Sequence, residues 1–276
     1  MIRVGTRGSA LALAQAEWVG SRLGGEYSLV RVEAAGPFGD KSRWVSGLER
    51  ALLEDEVDLA VHSAKDVPAE LAGVLSLVAI PTREDPRDAI CGASSLSDLA
   101  PGARVGTSSL RRAAQIRAFR DDLEVVDVRG NVDTRLRKLG DGECDALVLA
   151  VAGLARLGRL DAVGGILDEF VPAAGQGALA VEGRPGRVSV SGLVDAEATA
   201  CVTAERALTR ALGASCNTPV GAHGRMLEGG EIELTGWVGR PDGSAWVRDV
   251  LRGNASDVGA AVAERLLAVG AAELLS

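Results

Sequence analysis

Residues 57–68 read VDLAVHSAKDVP. The opening five, Val57-Asp58-Leu59-Ala60-Val61, are almost wholly apolar and too few for a helix, so they read as a short buried parallel strand. That strand delivers His62, Ser63, Lys65 and Asp66 in succession, and Pro68 then stops it. Open α/β sheets hold their ligands at the carboxyl ends of their strands. A carboxylate beside an ammonium costs stability if it merely fills a core. Taken alone, the run serves equally well as a strand exit whose charges sit in water.

The sequence on either side extends the pattern. Residues 2–6 form a first strand, Ser9 caps a helix over 10–23 that Gly24-Gly25 ends, and 27–34 alternate as a second strand. A polar, glycine-bearing loop at 36–43 and a helix at 44–54 lead back to the opening run, and 75–80 add another strand. The order βαβαβ predicts a doubly wound sheet. Thr82-Arg83-Glu84-Asp85-Pro86-Arg87-Asp88 interrupts it as a hinge. A second series follows, with strands at 104–107, 124–129 and 146–151 and helices at 109–120 and 132–139. Residues 171–177 make a second linker, and 178–182 return as a strand to the first unit. From Asp195, which caps a helix to 212, the character changes. A loop over 213–221 holds Cys216, and alternating segments at 222–226, 231–239 and 245–252 are separated by Glu228-Gly229-Gly230 and Pro241-Asp242-Gly243. A closing helix over 257–275, capped by Ser256, covers one face of that sheet. The expected architecture is α/β: domain 1 over 1–81 and 178–194, domain 2 over 87–171, hinges at 82–86 and 172–177, and an α+β domain 3 over 196–276. Two α/β units in tandem imply a cleft between them.

Bulk properties narrow the function classes. The chain has 276 residues, 47% hydrophobic and 25% charged, as in ordinary globular proteins. A net charge of −8 argues against non-specific nucleic-acid or acidic-membrane binding, and 3% aromatic residues argue against base stacking. Four scattered cysteines without a CxxC, and two isolated histidines, encode neither a disulfide framework nor a metal site. With no secretory leader or membrane-length apolar run, the cytoplasm is the expected compartment.

Against this acidic background, residues 104–138 carry nine basic and five acidic side chains. Gly106-Thr107-Ser108-Ser109-Leu110-Arg111-Arg112 lies where a strand gives way to a helix, so free backbone N–H groups, hydroxyls and two arginines converge. Arg129-Gly130-Asn131 repeats the arrangement one βα unit later, with Arg135 a turn into the helix. Ser109 and Asn131 also read simply as helix caps, and helix-face arginines as solvated. Neither GxxxxGK[ST] nor GxGxxG occurs, which favours carboxylates over nucleotide phosphates as the anion. Arg7-Gly8-Ser9 adds a donor pair at the end of the first strand. Cys91, Cys144 and Cys201 border apolar strands or lie in a helix, whereas Cys216 sits in an accessible loop.

HSAKDVP (62–68), REDPRDA (83–89), GTSSLRRAAQ (106–115), VRGNVDTRLRKL (128–139), LAVAGLARLG (149–158), GQGALAVE (175–182), TAERA (203–207) and the loop around Cys216 together resemble hydroxymethylbilane synthase, the porphobilinogen deaminase family. The matches are collinear and span nearly the whole chain. The resemblance implies two periplasmic-binding-protein-like domains flanking an active cleft, with a third domain presenting the cofactor loop. It also implies a monomeric transferase that joins four porphobilinogen molecules with loss of ammonia, in haem and other tetrapyrrole biosynthesis. Polymerisation is primed on a dipyrromethane cofactor held by a thioether to Cys216. Asp66 matches the catalytic carboxylate that faces pyrrole nitrogens. Lys65, Thr107, Ser108, Ser109, Arg111, Arg112, Arg129 and Gly130 match cofactor-binding positions, and Arg7, Ser9, Arg135 and Arg156 match positions that hold substrate carboxylates. The chain departs from the pattern at 35–43, where relatives usually have a longer, glycine-rich, lysine-bearing loop; the match of Lys41 is ambiguous there, and Trp44 replaces a usual phenylalanine. That shortening leaves an alternative, a non-catalytic carboxylate-binding protein or an impaired paralogue.

Overall fold

Strand β1 (Ile2–Thr6), helix α1 (Ala10–Gly20), strand β2 (Tyr27–Arg31), helix α2 (Ser42–Leu53) and strands β3 (Leu59–Ser63) and β4 (Ser76–Ala79) open the chain. The computed structural model describes residues 1–33, 42–68, 70–215 and 218–275, with residues 42–44 in backbone only. Next come β5 (Asp88–Cys91), β6 (Arg104–Gly106), α3 (Leu110–Phe119), β7 (Glu124–Val126), α4 (Val132–Gly140), β8 (Ala146–Ala150), α5 (Val151–Arg156) and β9 (Gly165–Leu167). Strand β10 (Leu179–Gly183) is followed by α6 (Ala196–Ala211), β11 (Val220–Met226), β12 (Ile232–Gly239), β13 (Trp246–Gly253), α7 (Val258–Ala268) and α8 (Ala271–Leu275).

Two five-stranded sheets share one plan. The first runs β2-β1-β3-β10-β4 and the second β7-β6-β8-β5-β9. In each, the strand that opens the βα series pairs in parallel with both neighbours, and the fourth strand is antiparallel. That fourth strand is the one arriving from the other sheet: β5 after β4, and β10 after β9. The connecting segments run side by side, Glu84 donating its N–H to the Gly177 carbonyl at 3.2 Å. Gly177 has φ 87, and a Cβ there would collide with the Glu84 carbonyl, so this close approach requires glycine.

Local chemistry accounts for the element ends. Ser9 accepts from the Ala12 N–H and Asp195 from the Ala198 N–H, each capping its helix. Helix α1 stops at Gly20, not at residue 23, because Arg22 and Leu23 bond back three residues to Val19 and Gly20 and tighten the last turn. The closing helix is two: Gly270, at φ 97, separates α7 from α8. Its cap position falls on Asp257, not Ser256, and the Asn254 carbonyl accepts the Asp257 and Val258 N–H groups. Strands β5 and β9, of four and three residues, carry too short a pattern for sequence reading.

The third sheet, β11-β12-β13, is antiparallel, and Leu208 of α6 with Val262 and Leu266 of α7 cover Ile232 and Leu234 on one face. This unit touches both others. Ala198 and Val202 of α6 pack on Ala64 and Val67, immediately beyond β3, and Arg206 donates to the Val67 and Pro68 carbonyls at 3.0 and 2.6 Å. Trp237 of β12 packs on Ala114 and Val171 of the second unit. No helix among the described residues is long and apolar enough to cross a membrane.

Candidate active site

Strand β3 ends in a single turn over Ala64–Asp66. His62 does not join the site: it is buried against Glu182 of β10, Nε2 2.9 Å from Oε2 but without hydrogen-bond alignment. The neighbouring side chains do. Ser63 Oγ accepts from the buried Gln15 amide of α1 at 3.0 Å, and Asp66 lies 3.7 Å from the Arg7 guanidinium at the end of β1. Ser9, two residues on, accepts from the Ala12 N–H as the cap of α1, which leaves its hydroxyl hydrogen to donate. Lys65, partly buried as a residue, turns inward and donates to Gln176 Oε1 at 3.0 Å. Burial first, and then the Arg112 guanidinium, push its ammonium down to about 7, against the opposing pull of Asp66 and Asp88.

On the second sheet, β6 and β7 each feed a helix at their carboxyl ends. Thr107 is buried and its hydroxyl accepts from the Ser109 N–H, while Ser109 accepts from the Arg112 N–H as the cap of α3. Ser108, partly buried, lies between them. Arg111 and Arg112 are not solvated; they are 4% and 5% exposed and both grip Asp88 at the start of β5, at 2.8 and 2.7 Å. Burial would raise the Asp88 carboxyl, but the Arg111 and Arg112 guanidiniums and the Gln176 amide outweigh it and hold it far below the ordinary range. Arg111 also donates to the Val171 carbonyl and Arg112 to that of Val148. Arg111 Nε is buried without a hydrogen-bond partner among the described residues.

The remaining predicted cations differ in surroundings. Arg129 is 76% exposed and bonds Asp127 at 2.7 Å. Gly130, at φ 124, lets the chain pass against Thr134 into α4, and its carbonyl accepts from Arg135 Nε at 2.7 Å. Burial, with Arg112 adding to it, lowers the Arg135 guanidinium from its usual value. Arg156, at the end of α5, donates to the Gly177 carbonyl at 2.6 Å, so it bonds the second connecting segment. Burial lowers it too, with Glu84 opposing.

Sequence reading left three residues without a role. Gln176, 1% exposed, donates to the Pro86 carbonyl at 2.7 Å and to Asp88 at 2.8 Å, and accepts from Lys65 and Arg112. Asp88 is the counter-ion just described. Glu205, fully buried on α6, accepts from Arg83, from the Gly175 N–H and from the Gly224 N–H, which joins both connecting segments to the third sheet. All three lie inside quoted motifs, but their partners are remote in sequence.

Lys41 and Cys216 lie outside the described residues, as does the Trp44 side chain. On either side of residues 216–217, the Ser215 N–H bonds Thr218 Oγ1 at 2.8 Å and the Thr218 hydroxyl donates to the Ser215 carbonyl at 2.6 Å.

A family model described as "Porphobilinogen deaminase, dipyromethane cofactor binding domain" matches residues 2–191, and "Porphobilinogen deaminase, C-terminal domain" matches residues 199–268. The chain belongs to the porphobilinogen deaminase family. Porphobilinogen deaminase of Thiobacillus denitrificans is 45% identical over 299 aligned positions, covering 99% of this chain and 97% of that one. The porphobilinogen deaminases of Deinococcus radiodurans and Thermus thermophilus are 43% and 44% identical, covering 99% and 100% of this chain and 97% and 98% of theirs. An alignment of 299 positions exceeds the chain's 276 residues, so the relative carries segments that this porphobilinogen deaminase family member lacks. Nothing in these matches supports a non-catalytic carboxylate binder or an impaired paralogue.

Proposed function

We propose that the chain is a hydroxymethylbilane synthase, which joins four porphobilinogen molecules head to tail, releases an ammonia for each, and yields linear hydroxymethylbilane for tetrapyrrole synthesis. The observation that carries this reading is the connection across the two sheets. Lys65, just past a strand end of the first, is linked through Gln176 to Arg112 and Asp88 of the second, and the adjoining Asp66 lies 3.7 Å from Arg7. One carboxylate is thereby set beside a concentration of cations, as a reaction with a cationic transition state and polycarboxylate substrates requires.

Asp66 is assigned the central role. Loss of ammonia from porphobilinogen leaves an azafulvene cation, and attack on it creates a positively charged pyrrolium. At about 4 Å and an effective dielectric near 20, one carboxylate stabilises such a charge by roughly 4 kcal/mol, about a thousandfold in rate if realised only in the transition state. Arg7, 3.7 Å away, holds that carboxylate in place. Each added ring brings an acetate and a propionate, and Arg7, Ser9, Arg135 and Arg156 are assigned to them.

The donor set fits dipyrromethane. Arg111 retains a buried Nε–H without a partner among the described residues, Lys65 follows β3 of the first sheet, and Thr107, Ser108, Ser109, Arg112, Arg129 and Gly130 follow β6 and β7 of the second, supplying cations, hydroxyls and amides suited to carboxylates. Cys216 would anchor it by a thioether, and when bound it supplies the unsubstituted pyrrole carbon to which the first substrate is added. The three-domain division and both hinges belong to this reading, with 82–86 and 172–177 as the places where the domains turn. So do a monomeric state, a cytoplasmic location and the lack of a nucleic-acid partner, all consistent with an acidic chain.

The intact mass of freshly purified protein tests the proposal. The expected result is an adduct of dipyrromethane mass on the wild type and none on Cys216→Ser. A bare mass on the wild type, unchanged after incubation with porphobilinogen, would overturn it.

A further inference from the structure

His223 is one of two histidines in the chain, and the chemistry proposed above gives it no part. It lies on β11 opposite Thr235 of β12, beside the junction where Glu205 joins the third sheet to both connecting segments. Its side chain is 31% exposed, yet Nδ1 is buried and has no hydrogen-bond partner among the described residues. Glu205 Oε1 lies 3.7 Å from that nitrogen, too far for a hydrogen bond.

Two carboxylates from different elements act on this imidazole. Glu205 of α6 is bound to Arg83 at 2.6 Å, and Asp85 of the first connecting segment is bound to Arg87 at 2.7 Å. The Arg87 guanidinium first, with His223 adding least, outweighs burial and holds the Asp85 carboxyl below its ordinary range, as Arg83 and His223 do for Glu205. Both therefore stay ionised in mild acid, where an imidazole gains its proton. A neutral imidazole carries hydrogen on Nδ1 in only one of its two tautomers, whereas an imidazolium always does. The charged ring thus sets a cation and a donor between two anions, and a shift of about 0.8 Å completes a charge-assisted bond to Glu205.

Resting on the hinge role proposed above for residues 82–86, we infer that His223 is a protonation-dependent clamp that holds the first connecting segment on the third domain. Charged, it bridges Glu205 and Asp85 and adds to the Arg83 pair. Neutral, it leaves that pair to hold the segment alone. The two α/β domains therefore turn more freely above the titration range of this imidazole than below it.

The test is amide hydrogen exchange of the full-length protein as purified, at about pH 5.5 and about pH 8.5, expressed as protection factors to remove the intrinsic pH dependence of exchange. The reporters are the Glu84 N–H, bonded to the Gly177 carbonyl, and the Arg87 N–H, bonded to Asp85. Wild-type protection should be about fivefold higher at the lower pH, and equal at both in His223→Gln. The Lys65 ammonium, pushed down to about 7, also titrates in this range and reaches the Pro86 carbonyl through Gln176, so Lys65→Met is the control and should keep the difference. Nuclear magnetic resonance titration of the two imidazoles, assigned with His62→Gln, should give His223 the same midpoint as the change in protection. If His223→Gln fails to fold, that coincidence in the wild type decides. A merely structural His223 would lower the melting temperature of the variant without making wild-type protection depend on pH. Equal wild-type protection at both pH values, a difference that survives in His223→Gln or vanishes in Lys65→Met, or a midpoint apart from that of His223 would overturn the clamp. None of these measurements needs porphobilinogen, so such a failure leaves the polymerisation reading standing. Absence of the adduct from the wild type would instead overturn that reading.

Discussion

Asp66 and Lys65 are adjacent in sequence but belong to different chemistry. Asp66 lies beside Arg7, its side chain 32% exposed, and its assigned task is to meet a cation that exists only during reaction. Asp66→Asn keeps shape and polarity, so the melting temperature should stay within about a degree while turnover falls about a thousandfold; near-normal turnover of porphobilinogen would refute the role. Lys65 turns inward, and its ammonium is pushed down to about 7 from 10.5. Between those two values the unfolded chain holds a proton that the folded chain has lost, so stability rises with pH across this window. Below it the full cost of a buried ammonium applies. Urea titrations at pH 7 and pH 10 should show wild-type stability gaining on Lys65→Met as pH rises, and parallel pH profiles would contradict the assignment. Both residues are legible in sequence because they follow directly on an apolar strand. Asp88 and Gln176 are not, since their meaning depends on partners 23 to 111 positions away.

Among the elements, α6 has a double task that its amphipathic pattern conceals. Its buried stripe, Cys201, Ala204 and Leu208, includes Glu205, which looks like an interruption and is the point where both connecting segments meet the third sheet. Burial would raise the Glu205 carboxyl, but the Arg83 guanidinium and His223 outweigh this and hold it below its usual 4.5. Its stabilising contribution is therefore complete above that value and lost as pH falls through the depressed one. Glu205→Gln leaves Arg83 facing a neutral amide, and should cost about 3 kcal/mol or more in urea unfolding at pH 7. An unchanged midpoint would show that the junction does not need the charge. Sequence reading located this helix and its Asp195 cap from local signals. It overran α1, fused α7 with α8 and passed over β5 and β9, because a tightened last turn, a positive-φ glycine and a strand of three or four residues leave little periodic trace.

In the whole molecule, alternation of strand and helix was enough to foresee two doubly wound units and an antiparallel third, and the return of 178–182 to the first sheet was also readable. The shared strand order was not. It arises because each sheet receives its antiparallel fourth strand from the chain leaving the other, a relation between remote segments that no local pattern encodes. This exchange has a consequence during synthesis on the ribosome. Among the described residues, strand β4 pairs only with β10, and β3 has β10 as its second neighbour. The first sheet therefore stays open along β3, with β4 unpaired, until residues 179–183 emerge, by which time the whole second sheet has been made. At about 5–20 residues per second that delay lasts roughly 5–25 s. The part of the chain born first, which bears Asp66, is thus completed after the part born second, and a nascent chain exposes an unpaired strand edge, open to chaperones or to misassociation, for that entire interval.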